Sequence, residues 1–151
     1  MSNETPNETA LRLLDETATG ALGSLSPDGF PMASLVAFAR TKDGAPLFLI
    51  STMALHTKNL TGNPRSSLLV RDERSGDPLT LARVTLIGTM TRIAEANAAA
   101  DARTRFLARH PQAATYVDFP DFNFHELKVD RAHLVAGFGR IVEIPGSAFA
   151  R

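Results

Sequence analysis

The sequence contains no cysteine and no tryptophan, and Tyr116 is its one tyrosine. Because cysteine is missing, disulfide bonds, thiolate nucleophiles, thiol-bound zinc and iron–sulfur clusters are all excluded. Any redox chemistry would therefore need a bound cofactor. The shortage of Trp and Tyr also argues against the aromatic stacking by which proteins bind single-stranded nucleic acids.

The chain has no net charge either, because 16 basic residues balance 16 acidic ones. Without a net positive field we expect neither nucleic acid nor a membrane surface as a partner. Residues 2–5 are polar, and no apolar run approaches the roughly 20 residues that a membrane-spanning helix needs. With 44% hydrophobic residues, the sequence predicts a single domain over residues 1–151 of a cytoplasmic protein.

The first helix is predicted from its start signal. Residues 5–8 form a capping-box pattern with proline at the first helical position. Leu11, Leu14 and Ala18 then fall on one side of a helix that is expected to end near Gly20.

Most of the remaining chain has the composition of β-strands, apart from an alanine-rich stretch, 94–109, that predicts a second long helix. The turn sequences 27–29 and 42–44 combine Asp with Gly and predict hairpins. Six or seven antiparallel strands with two or three helices favour a mainly β, α+β barrel, because closure removes exposed strand edges. The predicted strands are 21–25, 32–38, 47–50, 67–70, 79–93, 123–129 and 133–142, with 130–131 separating the last two.

Polar side chains cluster where the apolar run 47–50 ends. Ser51 and Thr52 supply two hydroxyls, and His56 and Lys58 follow in a short helical segment. Hydroxyls, a cation and a helix start are the groups that bind anions, so this is a candidate phosphate site. The alternative is a solvated helix face, and the spacing alone leaves both interpretations open.

The same segment, with the turn 26–31, the strand 83–88 and residues 134–139, resembles the flavin-binding split-barrel family typified by pyridoxamine 5'-phosphate oxidase. The resemblance covers about residues 8–143. Phe119-Pro120-Asp121-Phe122 and Gly137-Phe138-Gly139 are most similar to a subgroup whose longer members include haem-utilisation proteins. The resemblance implies an antiparallel FMN-binding split β-barrel of Greek-key type.

The resemblance also implies a set of FMN contacts. His56 stands where relatives carry a phosphate-binding lysine, which would make phosphate binding depend on pH. Asn59 is either a structural residue or a ribityl contact, and Arg83 is either near the ribityl chain and phosphate or a surface arginine. The implied contacts are Ser34, Ser51, Thr52, His56, Thr57, Lys58, Asn59 and Arg83.

The implied function is that of an FMN-dependent oxidoreductase acting on an unidentified small molecule, with the chemistry supplied by the flavin. The oxidase arginine near the C-terminus has no counterpart in residues 142–145, so pyridoxamine phosphate is not the predicted substrate. The alternative from another class is a non-catalytic haem or flavin carrier or sensor. A deazaflavin in place of FMN and a barrel with an empty pocket both stay open.

The remaining expectations concern histidines and aromatic residues. The four histidines are too widely spaced to predict a metal site, and His110, which precedes a proline at a helix end, is expected to be structural. Late aromatic residues either belong to the core or line a flavin pocket near a dimer contact. On that basis we expect a homodimer that uses Phe119, Phe122, Phe124 and Phe138.

Overall fold

Eight antiparallel strands form one sheet in the computed structural model, which describes residues 3–137 and 139–151. The α-helices in these residues are α1 (Pro6–Glu16), α2 (Leu55–Gly62) and α3 (Ala96–Arg109), and short 3-10 helices span Pro111–Thr115 and Gly146–Phe149. The strands are β1 (Thr19–Leu25), β2 (Pro31–Ala37), β3 (Ala39–Arg40), β4 (Pro46–Ser51), β5 (Arg65–Arg71), β6 (Arg83–Arg92), β7 (Phe122–Val135) and β8 (Ile141–Pro145).

The strand order is β2-β1-β5-β6-β7-β4-β3, and β8 pairs with β7 outside this path. The strand β2 also contacts β4, so the sheet curls into a half-barrel. Both predicted hairpins are confirmed: Gly29 and Gly44 have φ angles of 87° and 100°, and the strands on either side pair. The predicted α+β barrel class is confirmed as well.

The interior of the curled sheet is filled by leucines that lie opposite one another. Leu22, Leu68 and Leu86 are register partners on β1, β5 and β6, and all three are fully buried. The helix α1 closes this core with Leu13 and Leu14. Each such leucine stabilises the fold by about 1.5–3 kcal/mol through burial.

A second core lies on the outer face of β3 and β4, under α3. Leu47 and Leu49 on β4 pack there with Phe106 of α3. In β4 all residues from Pro46 to Ile50 are buried, because one face meets the barrel interior and the other meets α3. This arrangement fixes α3 beside the end of β4.

The capping box of α1 is confirmed, but the helix ends earlier than predicted. The Thr5 backbone N–H donates to Glu8, and the Glu8 N–H donates to Thr5 Oγ1 at 3.2 Å. The helix stops at Glu16 because Thr17 turns its extended backbone away while its hydroxyl donates to the Leu13 carbonyl. Ala18 therefore lies outside the helix.

Three predicted strand boundaries are wrong. The two strands expected on either side of 130–131 are one continuous strand, β7, in which Asp130 is the extra residue of a β-bulge opposite Ile87 and Gly88. β7 then ends at Val135, where a tight turn through Gly137, with φ of 130°, leads into β8. β6 begins at Arg83 rather than 79, because Asp77 holds the preceding residues in a turn.

None of the helices within residues 3–137 and 139–151 combines the length and the apolar character needed to cross a bilayer.

Candidate functional site

An apolar cleft of about 370 Å³ opens where β2 approaches the end of β4. Leu35 of β2 and Leu49 of β4 form its two aliphatic sides, and Phe106 of α3 contributes from the outer layer. His56, at the start of α2, also lines it. This volume lies within the range of pockets that hold small organic ligands.

Aromatic rings form one wall of the cleft. The rings of Tyr116 and Phe122 lie 4.8 Å apart between centroids, and Phe119 packs edge-on against Phe122 at 6.3 Å. Such contacts hold the rings in fixed orientations. A rigid aromatic wall suits a flat conjugated ligand.

The other end of the cleft is formed by the start of α2. Its N-cap residue, Ala54, makes no side-chain hydrogen bond to the first helical amides. These amides keep the partial positive charge of a helix N-terminus. Lys58, on the same helix, is exposed and has no ion-pair partner among the residues that the structure describes. This end of the cleft can therefore attract an anion.

Two buried polar atoms on α2 lack a partner within the described parts of the chain: His56 Nε2 and Thr57 Oγ1. An unsatisfied buried polar atom costs about 1–3 kcal/mol, so each is a candidate for contact with a ligand. Burial lowers the pKa of His56 below its ordinary value. The imidazole is consequently neutral near pH 7, which suits iron binding better than phosphate binding.

A second histidine lies nearby. Burial also lowers the pKa of His125 on β7, and His56, when protonated, adds to that shift. His110 is confirmed as structural: its Nε2 lies 2.7 Å from the Phe38 carbonyl oxygen, and it is buried. No group of three or more potential metal ligands occurs in 3–137 and 139–151.

Five predicted contact residues share the β4–α2 turn and the first turn of α2: Ser51, Thr52, His56, Thr57 and Lys58. Ser51 Oγ donates to Asp121 at 2.7 Å and accepts from the Met53 amide at 3.1 Å, so its hydroxyl is already used. The exposed Thr52 hydroxyl has no such partner in the described chain.

The other three predicted contacts lie outside this turn, and Asn59 is in the second turn of α2. Asn59 is buried, and its side-chain amide donates to Ser24 Oγ at 3.1 Å. This bond fits a structural role for Asn59 rather than a ribityl contact. Arg83 starts β6 and pairs with Arg71, roughly 20 Å along β5 from the end that adjoins α2. Ser34 lies on β2 beside Leu35, but alternate strand residues face opposite sides, so Ser34 faces away from Leu35.

The sequence interpretation missed Phe106, Tyr116 and Asp121. The sequence contains part of the signal for these residues. Asp121 belongs to the segment 119–122 that carries the family resemblance, and Phe122 is one of the aromatic residues expected in the core or at a pocket wall. The proximity of Asp121 to Ser51 depends on the pairing of β4 with β7, which joins residues 70 positions apart. No local pattern reports such a contact.

A larger cavity lies away from this cleft. It measures about 630 Å³ and is bounded by the β3–β4 turn, residues 92–98 and Glu126. Its lining mixes Lys42 and Arg92 with several carboxylates. It contains none of the predicted contact residues.

Comparisons with known proteins bear on both fold and ligand. The sequence model of the CREG beta-barrel family matches residues 2–151. "Non-canonical heme oxygenase HOZ, chloroplastic" from Arabidopsis thaliana is 37% identical over 134 residues, which are 87% of this chain and 40% of that protein. A heme binding protein from Mycobacterium smegmatis has 34% identity and a TM-score of 0.89, covering 99% of this chain and 61% of that one.

A second similar structure bears on the fold alone. A pyridoxinephosphate oxidase family protein from Clostridium acetobutylicum is 11% identical, with a TM-score of 0.71, and the match covers 94% of this chain and 96% of that one. The predicted split-barrel resemblance is confirmed. The chain spans less than two thirds of the Arabidopsis and Mycobacterium proteins.

Proposed function

The chain belongs to the CREG beta-barrel family, and from this premise we propose that it binds haem in the cleft between β2 and β4. One observation carries the proposal: His56 lines an apolar cleft, burial lowers the pKa of its imidazole, and its enclosed Nε2 lacks a partner in the described residues, so a turn of the ring would bring an unpaired nitrogen to the cleft. A neutral imidazole nitrogen is the usual protein ligand of haem iron.

The walls of the cleft suit the porphyrin. Leu35 is 81% exposed, so a bound macrocycle would bury apolar surface that water now covers. Tyr116 and Phe122 offer ring faces on another side. The Arabidopsis and Mycobacterium relatives, at 37% and 34% identity, are named a heme oxygenase and a heme binding protein, which supports the same ligand class here.

The polar end of the cleft suits the two propionates. The uncapped amides of α2 and the ammonium of Lys58 would attract carboxylates. Haem, when bound, supplies a redox-active iron. The chain would hold the macrocycle between apolar walls, provide the His56 nitrogen and limit the access of water.

A second candidate is the FMN-dependent oxidoreductase, with an unidentified small-molecule substrate. The observation that favours it is the same uncapped start of α2, next to the exposed Thr52 hydroxyl and Lys58. These groups match the needs of a phosphate. The neutral state of His56 counts against it, because a neutral imidazole offers a phosphate no charge.

We also propose that the protein is a homodimer. Leu35 and Leu69 are both register partners of Ala21, so an apolar row crosses β2, β1 and β5 on the outer face of the sheet. A second copy would cover this row and close the exposed side of the cleft at Leu35. The cytoplasmic location stays a prediction.

The aromatic residues predicted for the dimer contact carry less of this argument. Phe122 and Phe124 are half-buried against the second core, whereas Phe119 is exposed. Phe138 lies outside the described residues.

Ligand titration tests the proposal. Haemin and FMN are added separately to the protein, and we expect a Soret band that saturates at one haemin per chain. The variant His56→Ala should weaken haemin binding about tenfold or more and shift the Soret band. The matched control is His133→Ala, which removes a half-exposed imidazole paired with Glu143 on another part of the sheet.

Two outcomes would contradict the proposal. A protein that takes up FMN, bleaches with dithionite and gives no Soret band favours the oxidoreductase. A protein that binds neither ligand refutes both candidates.

A further inference from the structure

We infer that Asp121 makes the anion-attracting end of the cleft selective for singly charged carboxylates over doubly charged phosphates. The inference rests on the proposed function only in locating the ligand's anionic group at the start of α2. It concerns a residue of the Phe119-Pro120-Asp121-Phe122 segment that the proposed haem contacts do not use.

Asp121 is bonded to the turn between β4 and α2. Its side-chain Oδ2 accepts from Ser51 Oγ at 2.7 Å, and its carbonyl oxygen accepts from the Thr52 amide at 2.8 Å. Ser51 Oγ in turn accepts from the Met53 amide at 3.1 Å. These bonds hold the chain immediately before α2 and fix the carboxylate beside it.

The first consequence concerns Ser51. Its hydroxyl proton is directed to Asp121 and its oxygen already accepts from Met53, so it has no donor left for a ligand. Phosphate sites at helix starts gain from such hydroxyl donors. An anion at this place must therefore rely on the α2 amides, Lys58 and the exposed Thr52 hydroxyl.

The second consequence is electrostatic. The Asp121 carboxylate lies one hydrogen bond from Ser51, and the Ser51 carbonyl oxygen accepts from the amide of Ala54, the N-cap residue of α2. The repulsion between the carboxylate and a bound anion scales with the charge of that anion. The repulsion from Asp121 is thus about twice as strong for a dianionic phosphate as for a monoanionic carboxylate, so Asp121 shifts the balance set by the α2 amides and Lys58 towards the monoanion.

The test uses the ligand-free protein with two small probes, inorganic phosphate at mildly alkaline pH and acetate. Backbone amide shifts of Thr52 to Thr57 are followed by NMR during each titration. Asp121→Asn keeps an oxygen that accepts from Ser51 but removes the charge. We expect it to strengthen phosphate binding about fivefold and to change acetate binding less than twofold.

Two further variants separate charge from structure. Asp118→Asn is the matched control, since Asp118 is an exposed carboxylate nearby that pairs with Arg103, and it should alter neither probe. Asp121→Ala removes the hydrogen bond as well, and it should speed hydrogen exchange of the Met53 amide. Asp121→Asn should retain slow exchange at that amide, which a general loss of stability would not allow.

An unchanged ratio of phosphate to acetate affinity in folded Asp121→Asn overturns the inference. So does the absence of amide shifts with both probes in every variant, because the start of α2 then attracts no anion. Haemin is titrated in parallel into the wild type and Asp121→Asn. A missing Soret band in both, together with the expected phosphate result, would sink the proposed haem function and leave the role of Asp121 standing.

Discussion

The pH dependence of ligand binding separates the two candidate functions, because they require opposite protonation states of His56. Burial lowers the pKa of His56 below 6.5 in the ligand-free protein. Iron binds the neutral imidazole, so protons compete with haem only below that lowered pKa. Haemin affinity should stay level from pH 8 to below pH 6.5. It should then fall by about tenfold for each further unit of pH.

A phosphate contact to His56 would give the opposite dependence of ligand affinity on pH. Phosphate favours the protonated imidazole, which raises the pKa in the bound state above that of the free state. FMN affinity would then increase as the pH falls from 8 towards 6. Replacement by lysine also has opposite effects: His56→Lys should weaken haemin binding, but it should strengthen FMN binding and remove its pH dependence.

The assay is a set of haemin and FMN titrations at several pH values for the wild type, His56→Ala and His56→Lys. The ratio of wild-type to His56→Ala affinity isolates the contribution of this side chain from that of the propionates. A ratio for haemin that increases steadily as the pH falls from 8 to 6 would refute the assignment of His56 to iron. A ratio of one at every pH would remove His56 from the site altogether.

Three further predictions concern stability and assembly. Hydrogen bonds from Arg74 hold the pKa of Asp72 at about 2, below its ordinary 3.8. This carboxylate should therefore add about 1–2 kcal/mol to the free energy of unfolding above pH 4, a contribution that is lost as the pH falls to 2. Chemical denaturation of Asp72→Asn across this range should show no such loss. Gly88→Ala places a Cβ 1.9 Å from the Lys128 carbonyl oxygen at the β-bulge and should cost at least ~3 kcal/mol, whereas Gly62→Ala, with open space around it, should cost less than ~0.5 kcal/mol. Equal melting temperatures for the two glycine variants would contradict this. Leu35→Asp should convert a dimer to monomers in light scattering, and a monomeric wild type at micromolar concentration would remove the dimer proposal.

Local signals in the sequence predicted the elements that local interactions build. The capping box of α1 and the Asp–Gly turns at Gly29 and Gly44 each satisfy their own backbone within four residues, so the pattern alone identifies them. The bulge at Asp130 was not predictable in this way. It arises from the register of β7 against β6, which no alternation within β7 records.

The candidate site also contains a part that local sequence predicts and a part that depends on tertiary packing. Its anion-attracting end lies within residues 51–58 and was predicted as a group. Arg83 was included through the family resemblance, yet within one chain it starts β6 at the far end of β5 from α2. The burial that lowers the pKa of His56 depends on packing against other elements, so no pattern in the sequence indicates it, and the pH-dependent phosphate contact of His56 stays a prediction.

The apolar end of the cleft depends on one pairing, that of β4 with β7. Ser51 lies opposite Phe122 and Leu49 opposite Phe124, so Leu49 and Phe124 face α3 and Phe106. Because side chains alternate along a strand, a slip of one residue would turn Phe122 and Phe124 towards the barrel interior and separate Asp121 from Ser51. The aromatic wall of the cleft and the carboxylate bonded to the α2 turn would then be lost together. A single register therefore couples the aromatic wall to the carboxylate beside the start of α2.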